Sequence, residues 1–241
     1  MFRAFFSFFL LIHTLGYFYF QWDRPHGNKT VGYASIMRQG FIYLLVSLLC
    51  LIPFWSTPLL ISALILPVLY FLLSNVTFFM KQETNPKQFI RDQLIILGYI
   101  TVASSLLVFM GAQMKLLFPL QVFFTKVALN PFKGLAWMGL LLLVMQPANV
   151  TIKKLVERYR PAPIGQDSDS NKAGALIGSL ERIIILLLIN AGQYSAIGLV
   201  LTAKSVARYN KIIEDKAFAE YYLIGSLLST LYAISSYLIF M

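Results

Sequence analysis

The chain has 241 residues, of which 58% are hydrophobic and only 12% are charged. Soluble domains average about 45–50% apolar and about 25% charged residues, so the composition excludes a water-soluble surface and predicts an integral membrane protein. Lysine and arginine outnumber the acids by 20 to 10, giving a net charge of +10. Because these bases sit in short loops between apolar runs, the positive-inside rule explains them, and we predict membrane lipids rather than nucleic acid as partners.

Five membrane spans are predicted in an N-terminal domain formed by residues 1–150. Each apolar run approaches the length of about 20 residues that crosses a bilayer as a helix. The runs are residues 4–20, 40–55, 59–80, 93–113 and 134–145, the last extending towards residue 150. In residues 115–133 three lysines interrupt apolar residues, and two prolines bracket a stretch too short to cross the bilayer easily. These residues are predicted to lie in the interface as an amphipathic segment.

A basic, mobile cytoplasmic loop is predicted for residues 151–173. It opens with lysines and arginines and continues into a stretch rich in proline, serine and aspartate. This composition is typical of a linker. If the protein has two halves, the seam is expected here.

Residues 174–241 are predicted to form a C-terminal membrane part with intramembrane charges. Residues 174–203 number thirty, which is long for one span and too short for two. One long tilted helix and two half-helices broken near residues 190–192 both fit. A basic connector, residues 204–216, and a last span, residues 218–241, follow. The predicted fold is therefore an all-α, polytopic helical bundle of about six to seven membrane segments, one of them re-entrant in the favoured arrangement.

The distribution of bases predicts the orientation. Residues 53–58, between the second and third spans, carry no base and are expected outside, whereas residues 21–39, 81–92 and 151–172 are expected in the cytoplasm. The N-terminus then lies outside. Re-entry of residues 174–203 is favoured because it returns the basic connector to the cytoplasm and leaves the C-terminus outside.

The densest set of polar residues lies between residues 174 and 229. A charged side chain in the bilayer is costly unless it is paired or hydrated. In the favoured interpretation Glu181 or Glu220 pairs with one of the bases. In the other, the bases hold an anionic headgroup or a phosphate. The candidate residues are Glu181, Arg182, Gln193, Lys204, Arg208 and Glu220.

The same region carries a pattern that resembles a known family. It reads Ile177-Gly178-x-Leu180-Glu181-Arg182, Gln193-x-x-Ala196-Ile197-Gly198, Ala203-Lys204-Ser205-x-x-Arg208 and Glu220-Tyr221-x-x-x-Gly225-x-x-x-Ser229. It resembles the C-terminal part of bacterial membrane proteins that carry the domain of unknown function 3307. This resemblance implies the bacterial cytoplasmic (inner) membrane and carries no established activity with it.

The N-terminal half resembles the same family at fewer positions. The first span reads His13-Thr-Leu-Gly16-Tyr17-Phe18-Tyr-Phe-Gln21, with Tyr17 where the family has aspartate. The resemblance implies a membrane-embedded His/Asp site in relatives, of which this chain keeps His13, Gln21, Asp92 and Gln93. Asp92 also fits the N-cap of the fourth span.

No catalytic or metal-binding motif is present in the sequence. Two histidines and scattered carboxylates lack metal-ligand spacing, and no phosphate loop or nucleophile elbow occurs, so neither metal nor cofactor is predicted. We expect a non-enzymatic transporter-like or assembly component, as a homo-oligomer or with a partner membrane subunit. The first alternative is an enzyme that acts on a lipid-linked or phosphorylated substrate, with His13 or Glu181 handling protons. The second is a small-molecule permease with its site near residues 190–193.

Overall fold

The computed structural model describes residues 1–20, 33–54, 56–79, 86–128, 130–159 and 168–241. Most of these residues are helical, with no β-strand among them and one isolated bridge between Phe54 and Leu116. The predicted all-α fold is confirmed. The chain divides into two compact units, Met1–Gly139 and Leu140–Met241. The division falls inside a helix, earlier than the seam expected in residues 151–173.

The first unit is built around its N-terminal helix. α1 (Phe2–Thr14) continues into one π-helical turn, Leu15–Tyr19, and two thirds of this span (67%) are buried, against 22–33% for the other candidate spans. Six consecutive positions from Phe8 to His13 are at most 4% exposed. The helices are α1 (Phe2–Thr14), α2 (Tyr33–Leu51), α3 (Thr57–Phe79), α4 (Pro86–Phe109), α5 (Phe118–Lys126) and the start of α6 (Pro131–Val144).

Six helices are long and apolar enough to cross a membrane. They are Phe2–Tyr19, Tyr33–Leu51, Thr57–Val76, Lys87–Phe109, Pro131–Val156 and Lys216–Phe240. α2 and α4 begin earlier than the apolar runs predicted, because an apolar run marks the bilayer and not the end of the helix. Asp92 therefore lies within α4, which begins at Pro86, and its assignment as an N-cap was wrong.

The second unit begins at a break in the fifth span. α6 ends at Val144, and α7 (Gln146–Val156) begins with a proline in its first turn. Pro147 has no N–H and its ring displaces the preceding turn, so the helix is interrupted at Met145 (φ −84°, ψ −99°). Because α7 and a short 3₁₀ turn extend to Tyr159, residues 151–159 are helical instead of forming the predicted loop.

Residues 174–203 form two helices, so the alternative of one long tilted helix was wrong. α8 (Ser168–Asn190) ends at Gly192, whose φ of +70° favours glycine. The N–H of Gln193 donates to the carbonyl of Leu188 at 2.8 Å, which closes a Schellman turn. α8 also starts before residue 174, so both ends of the predicted loop 151–173 are helical, and residues 160–167 lie outside the described part.

The chain then reverses its direction. α9 (Tyr194–Val206) returns along α8, so that Nζ of Lys204 lies 2.6 Å from Oε2 of Glu181. A short helix α10 (Tyr209–Glu214) leads to α11 (Lys216–Phe240), which begins where Asp215 accepts a hydrogen bond from the Phe218 N–H. The α8–α9 pair is thus a helical hairpin.

α11 runs parallel to α8, and α7 runs antiparallel to it. Arg182 contacts Ser229, and further along both helices Ile189 packs against Ala233. By contrast, Met145, the residue before α7, contacts Arg182, and Asn149 of α7 contacts Ser179. The C-terminal end of α7 and the N-terminal ends of α8 and α11 therefore lie at the same end of this unit.

Candidate functional site

Arg182 is the largest fully buried side chain in the described residues, with 2% of its surface exposed. It reaches from α8 into the break between α6 and α7. Its Nε donates to the carbonyl of Val144, and its Nη2 lies 3.3 Å from the carbonyl oxygen of Met145. Nη2 also donates to Oδ1 of Asn149 at 2.6 Å, and Nη1 donates to Oγ of Ser229 at 3.1 Å.

The break in the fifth span explains why an arginine fits here. The last carbonyls of a helix have no partner within that helix and carry the negative end of its dipole. Val144 is the last residue of α6, and Pro147 prevents the helix from continuing regularly. A guanidinium presents five N–H donors in a rigid plane and remains charged, so Arg182 caps α6 from a neighbouring helix.

Neutral polar groups complete the network around Arg182. Nδ2 of Asn149 donates to Oγ of Ser179 at 2.9 Å, and this hydroxyl donates to the carbonyl of Ala175 at 3.0 Å. Ser179 also accepts from Nη2 of Arg182 at 3.2 Å. The guanidinium is thus bonded by backbone carbonyls, hydroxyls and an amide, with no carboxylate among these partners, and its bonds join α6, α7, α8 and α11.

Among the predicted pairings, that of Glu181 with Lys204 is present. The two side chains are 13% and 20% exposed, and the ion pair closes the α8–α9 hairpin. Within the described residues Glu220 is exposed and makes no ion pair, and Gln193 lies exposed in the turn after α8. Arg208 lies on the exposed corner between α9 and α10 and contacts the ring of Tyr222.

A second polar cluster lies in the first unit, around His13. Nε2 of His13 lies 3.0 Å from Oε1 of Gln93, and Nδ1 lies 2.9 Å from the hydroxyl of Tyr43. Because an amide oxygen only accepts, Nε2 donates to Gln93, and Nδ1 is hydrogen-bonded to the hydroxyl of Tyr43. The imidazole thereby joins α1 to α2 and α4. Asp92 does not take part, since it pairs with its exposed neighbour Arg91 at 3.0 Å.

The π-helical turn fits closely against α2. Gln39 donates to the carbonyl of Gly16 at 2.7 Å, and the ring of Tyr43 covers Gly16 so closely that an added Cβ would lie 2.4 Å from Cδ2. Sequence reasoning missed Tyr43 as a partner of His13, although Gln39 and Tyr43 lie one helical turn apart and face the same neighbour.

Neither cluster has the composition of a metal centre. In the described ranges no three side chains of histidine, cysteine, aspartate or glutamate converge. Gln21, the remaining position suggested by the family resemblance, lies outside the residues that the structure describes.

These features define a class of protein: a multi-pass α-helical membrane protein in which buried polar side chains bond helix to helix within each unit. No protein-family model, curated protein or solved structure matches the chain.

Proposed function

We propose that the chain is a non-enzymatic assembly component of the bacterial cytoplasmic membrane, related to the proteins with the domain of unknown function 3307. The observation that supports this most directly is the bonding of Arg182. A catalytic or transport site needs polar groups that are free to meet a substrate, whereas this guanidinium bonds to acceptors in four helices. His13 likewise bonds at both nitrogens.

An assembly component is expected to act together with other chains. More than half of the surface of several leucines on α11 is exposed, including Leu223, Leu227 and Leu231. A polytopic protein presents such faces to lipid or to a neighbouring subunit. We propose that the protein works as a homo-oligomer or with a partner membrane subunit.

The experiment is a mass measurement on the protein extracted directly into native-lipid nanodiscs. Native mass spectrometry is expected to give one complex of fixed stoichiometry that contains two or more chains. A single chain bound only to lipid, at protein concentrations matching those in the membrane, would contradict the proposal.

A transporter-like role is the second candidate, because two helices of the second unit are interrupted. α6 breaks at Met145, and α8 breaks at Gly192. Interrupted helices often form the substrate sites of secondary transporters, where freed backbone groups bind ions or polar solutes.

Cysteine accessibility distinguishes the two candidates. In a Cys50→Ala background, the variant Gln193→Cys places a thiol in the turn between α8 and α9. An assembly component with a static hairpin is expected to react with a membrane-impermeant maleimide from one side only. Reaction from both sides, at rates that change together when solutes are added, would favour the transporter over the assembly component.

A further inference from the structure

The corner between α9 and α10 forms an open cavity at the end of the hairpin. Its volume is about 500 Å³. It is lined by Val206, Ala207, Arg208, Tyr209, Asn210 and Lys211. The lining combines two cations with apolar and aromatic side chains, and the proposed role of the protein in assembly does not use any of them.

The two cations of the cavity are held by aromatic rings of α11. The guanidinium of Arg208 lies 5.8 Å from the centroid of Tyr222, and the ammonium of Lys211 lies 4.4 Å from the centroid of Phe218. The rings themselves are stacked, with centroids 5.9 Å apart. A cation over a ring face is attracted to it while its N–H groups remain available.

The charged groups of Arg208 and Lys211 are less engaged by protein partners than those of Arg182 and Lys204. Arg182 is bonded throughout its guanidinium, and Lys204 is paired with Glu181. Within the part of the chain that the structure describes, Arg208 and Lys211 have neither a carboxylate partner nor a side-chain hydrogen bond. Two positive charges close together at an exposed corner are suited to an anion.

The apolar neighbours of these cations suggest what carries the anion. Val206, Tyr209 and Ile213 are 66%, 61% and 64% exposed. Large apolar side chains beside cationic ones are typical of a segment that lies in the membrane interface, where the apolar groups enter the acyl region and the charges stay near the phosphates.

We propose that the α9–α10 corner binds the phosphodiester of an anionic phospholipid headgroup. Arg208 and Lys211 contact the phosphate oxygens, and Val206 and Tyr209 contact the glycerol and the start of the acyl chains. The guanidinium is suited to two phosphate oxygens at once, and the ammonium adds a point charge. The site requires that the protein lies in a membrane, but it does not depend on whether the protein assembles or transports.

The test compares two variants from which the same charge has been removed. Arg208→Gln with Lys211→Gln removes both cations of the corner, whereas Lys115→Gln with Lys126→Gln removes two exposed cations of the first unit. Delipidated protein is titrated with phosphatidylglycerol, and retained lipid is counted by native mass spectrometry. We expect the corner variant to bind about thirtyfold more weakly than the unmodified protein, and the control variant to bind within about twofold of it.

Three further measurements identify the source of the phosphate and control for misfolding of the variants. Inorganic phosphate at the same concentration is expected not to protect the protein thermally, and phosphatidylcholine is expected to bind weakly to both variants. Arg208→Lys with Lys211→Arg should restore binding to within about threefold, which would show that charge and not folding was lost. Equal losses in the two double variants, protection by phosphate alone, or equal binding of phosphatidylcholine would each overturn the proposal.

Discussion

Two buried side chains, Arg182 and His13, connect helices in the same manner. Each lies on a helix of its own unit and bonds to partners on neighbouring helices, and none of those partners is charged. In an apolar surrounding a polar group without a partner is costly, so such bonds favour one arrangement of helices over others. At the scale of the residue, these two networks determine how the spans pack.

Removing the guanidinium is expected to destabilise the second unit. Arg182→Met deletes the donors for the carbonyls of Val144 and Met145, and we expect the free energy of unfolding to fall by about 2–4 kcal/mol. Arg182→Lys should recover only part of this loss, because one ammonium cannot reach acceptors on four helices. Chemical denaturation in nanodiscs measures both variants.

The control for this change is Arg91→Met. The side chain of Arg91 is 48% exposed and pairs with its neighbour Asp92, so its loss is expected to cost less than about 1 kcal/mol. Equal effects of the substitutions at Arg182 and Arg91 would mean that the buried network does not hold the helices together.

Gly16 allows the π-helical turn after α1 to pack closely against α2. Gly16→Ala would place a methyl group against the ring of Tyr43, which His13 and the surrounding rings hold in place. We expect a loss of about 1–3 kcal/mol from overpacking. Gly98→Ala in α4, where no atom lies within 4 Å of the added carbon, is expected to be neutral or to stabilise by up to about 1 kcal/mol. If thermal unfolding ranks the two variants in the opposite order, the close contact at Gly16 does not exist in the membrane.

The sequence predicts that Arg182 needs polar partners, but it does not predict which groups these partners are. Arg182 stands out because a charge within an apolar helix needs an explanation. Two of its acceptors are backbone carbonyls, which no side-chain pattern reveals. Both carbonyls lie at the break that Pro147 makes in the span, and only the fold brings that break to α8.

At the scale of the element, the hairpin of α8 and α9 is the most informative feature. Thirty residues between a loop and a connector leave both a long helix and a broken one open. Gly192 decides between them, because a glycine at φ +70° ends α8 and lets the chain reverse. A glycine within an apolar run signals a break only weakly, since glycines are also common in continuous membrane helices.

The ion pair of Glu181 with Lys204 joins α8 to α9, so it allows the hairpin to be tested. Glu181→Gln, Lys204→Gln and the double variant form a thermodynamic cycle, from which we expect a coupling energy of about 1–3 kcal/mol for this largely buried pair. The same cycle on Arg91 and Asp92, whose side chains are 48% and 21% exposed, is expected to give less than about 0.5 kcal/mol. A coupling near zero for the first pair would indicate that α9 does not return along α8.

At the scale of the whole molecule, bases collect at one end of the second unit. Lys153 is in the last turn of α7, and Lys211 of the connector lies over the ring of Phe218 in the first turn of α11. The apolar runs predicted the number of spans well, because span length is fixed by the bilayer. The division at Gly139 was not predictable, since it depends on the packing of α7 against α8 and α11 and not on composition.

The bases at this end of the second unit predict its orientation in the membrane, which can be measured. In a Cys50→Ala background, a thiol at Asn210→Cys is expected to react with an impermeant maleimide only after the cells are permeabilised. A thiol at Met241→Cys is expected to react in intact cells, because basic segments remain in the cytoplasm and the last span then ends outside. The reverse pattern would mean that residues 174–203 cross the membrane once.

The buried arginine also has a consequence for how the protein is made. α8, which carries Arg182, is absent from the six described helices that qualify as spans by their own apolarity. Its acceptors at Val144, Met145 and Asn149 emerge from the ribosome before it, whereas Ser229 emerges after it. The bonds of Arg182 can therefore be complete only after α11 has been synthesised. The order of the chain thus places the acceptors of the fifth span before Arg182 and the hydroxyl of the final span after it.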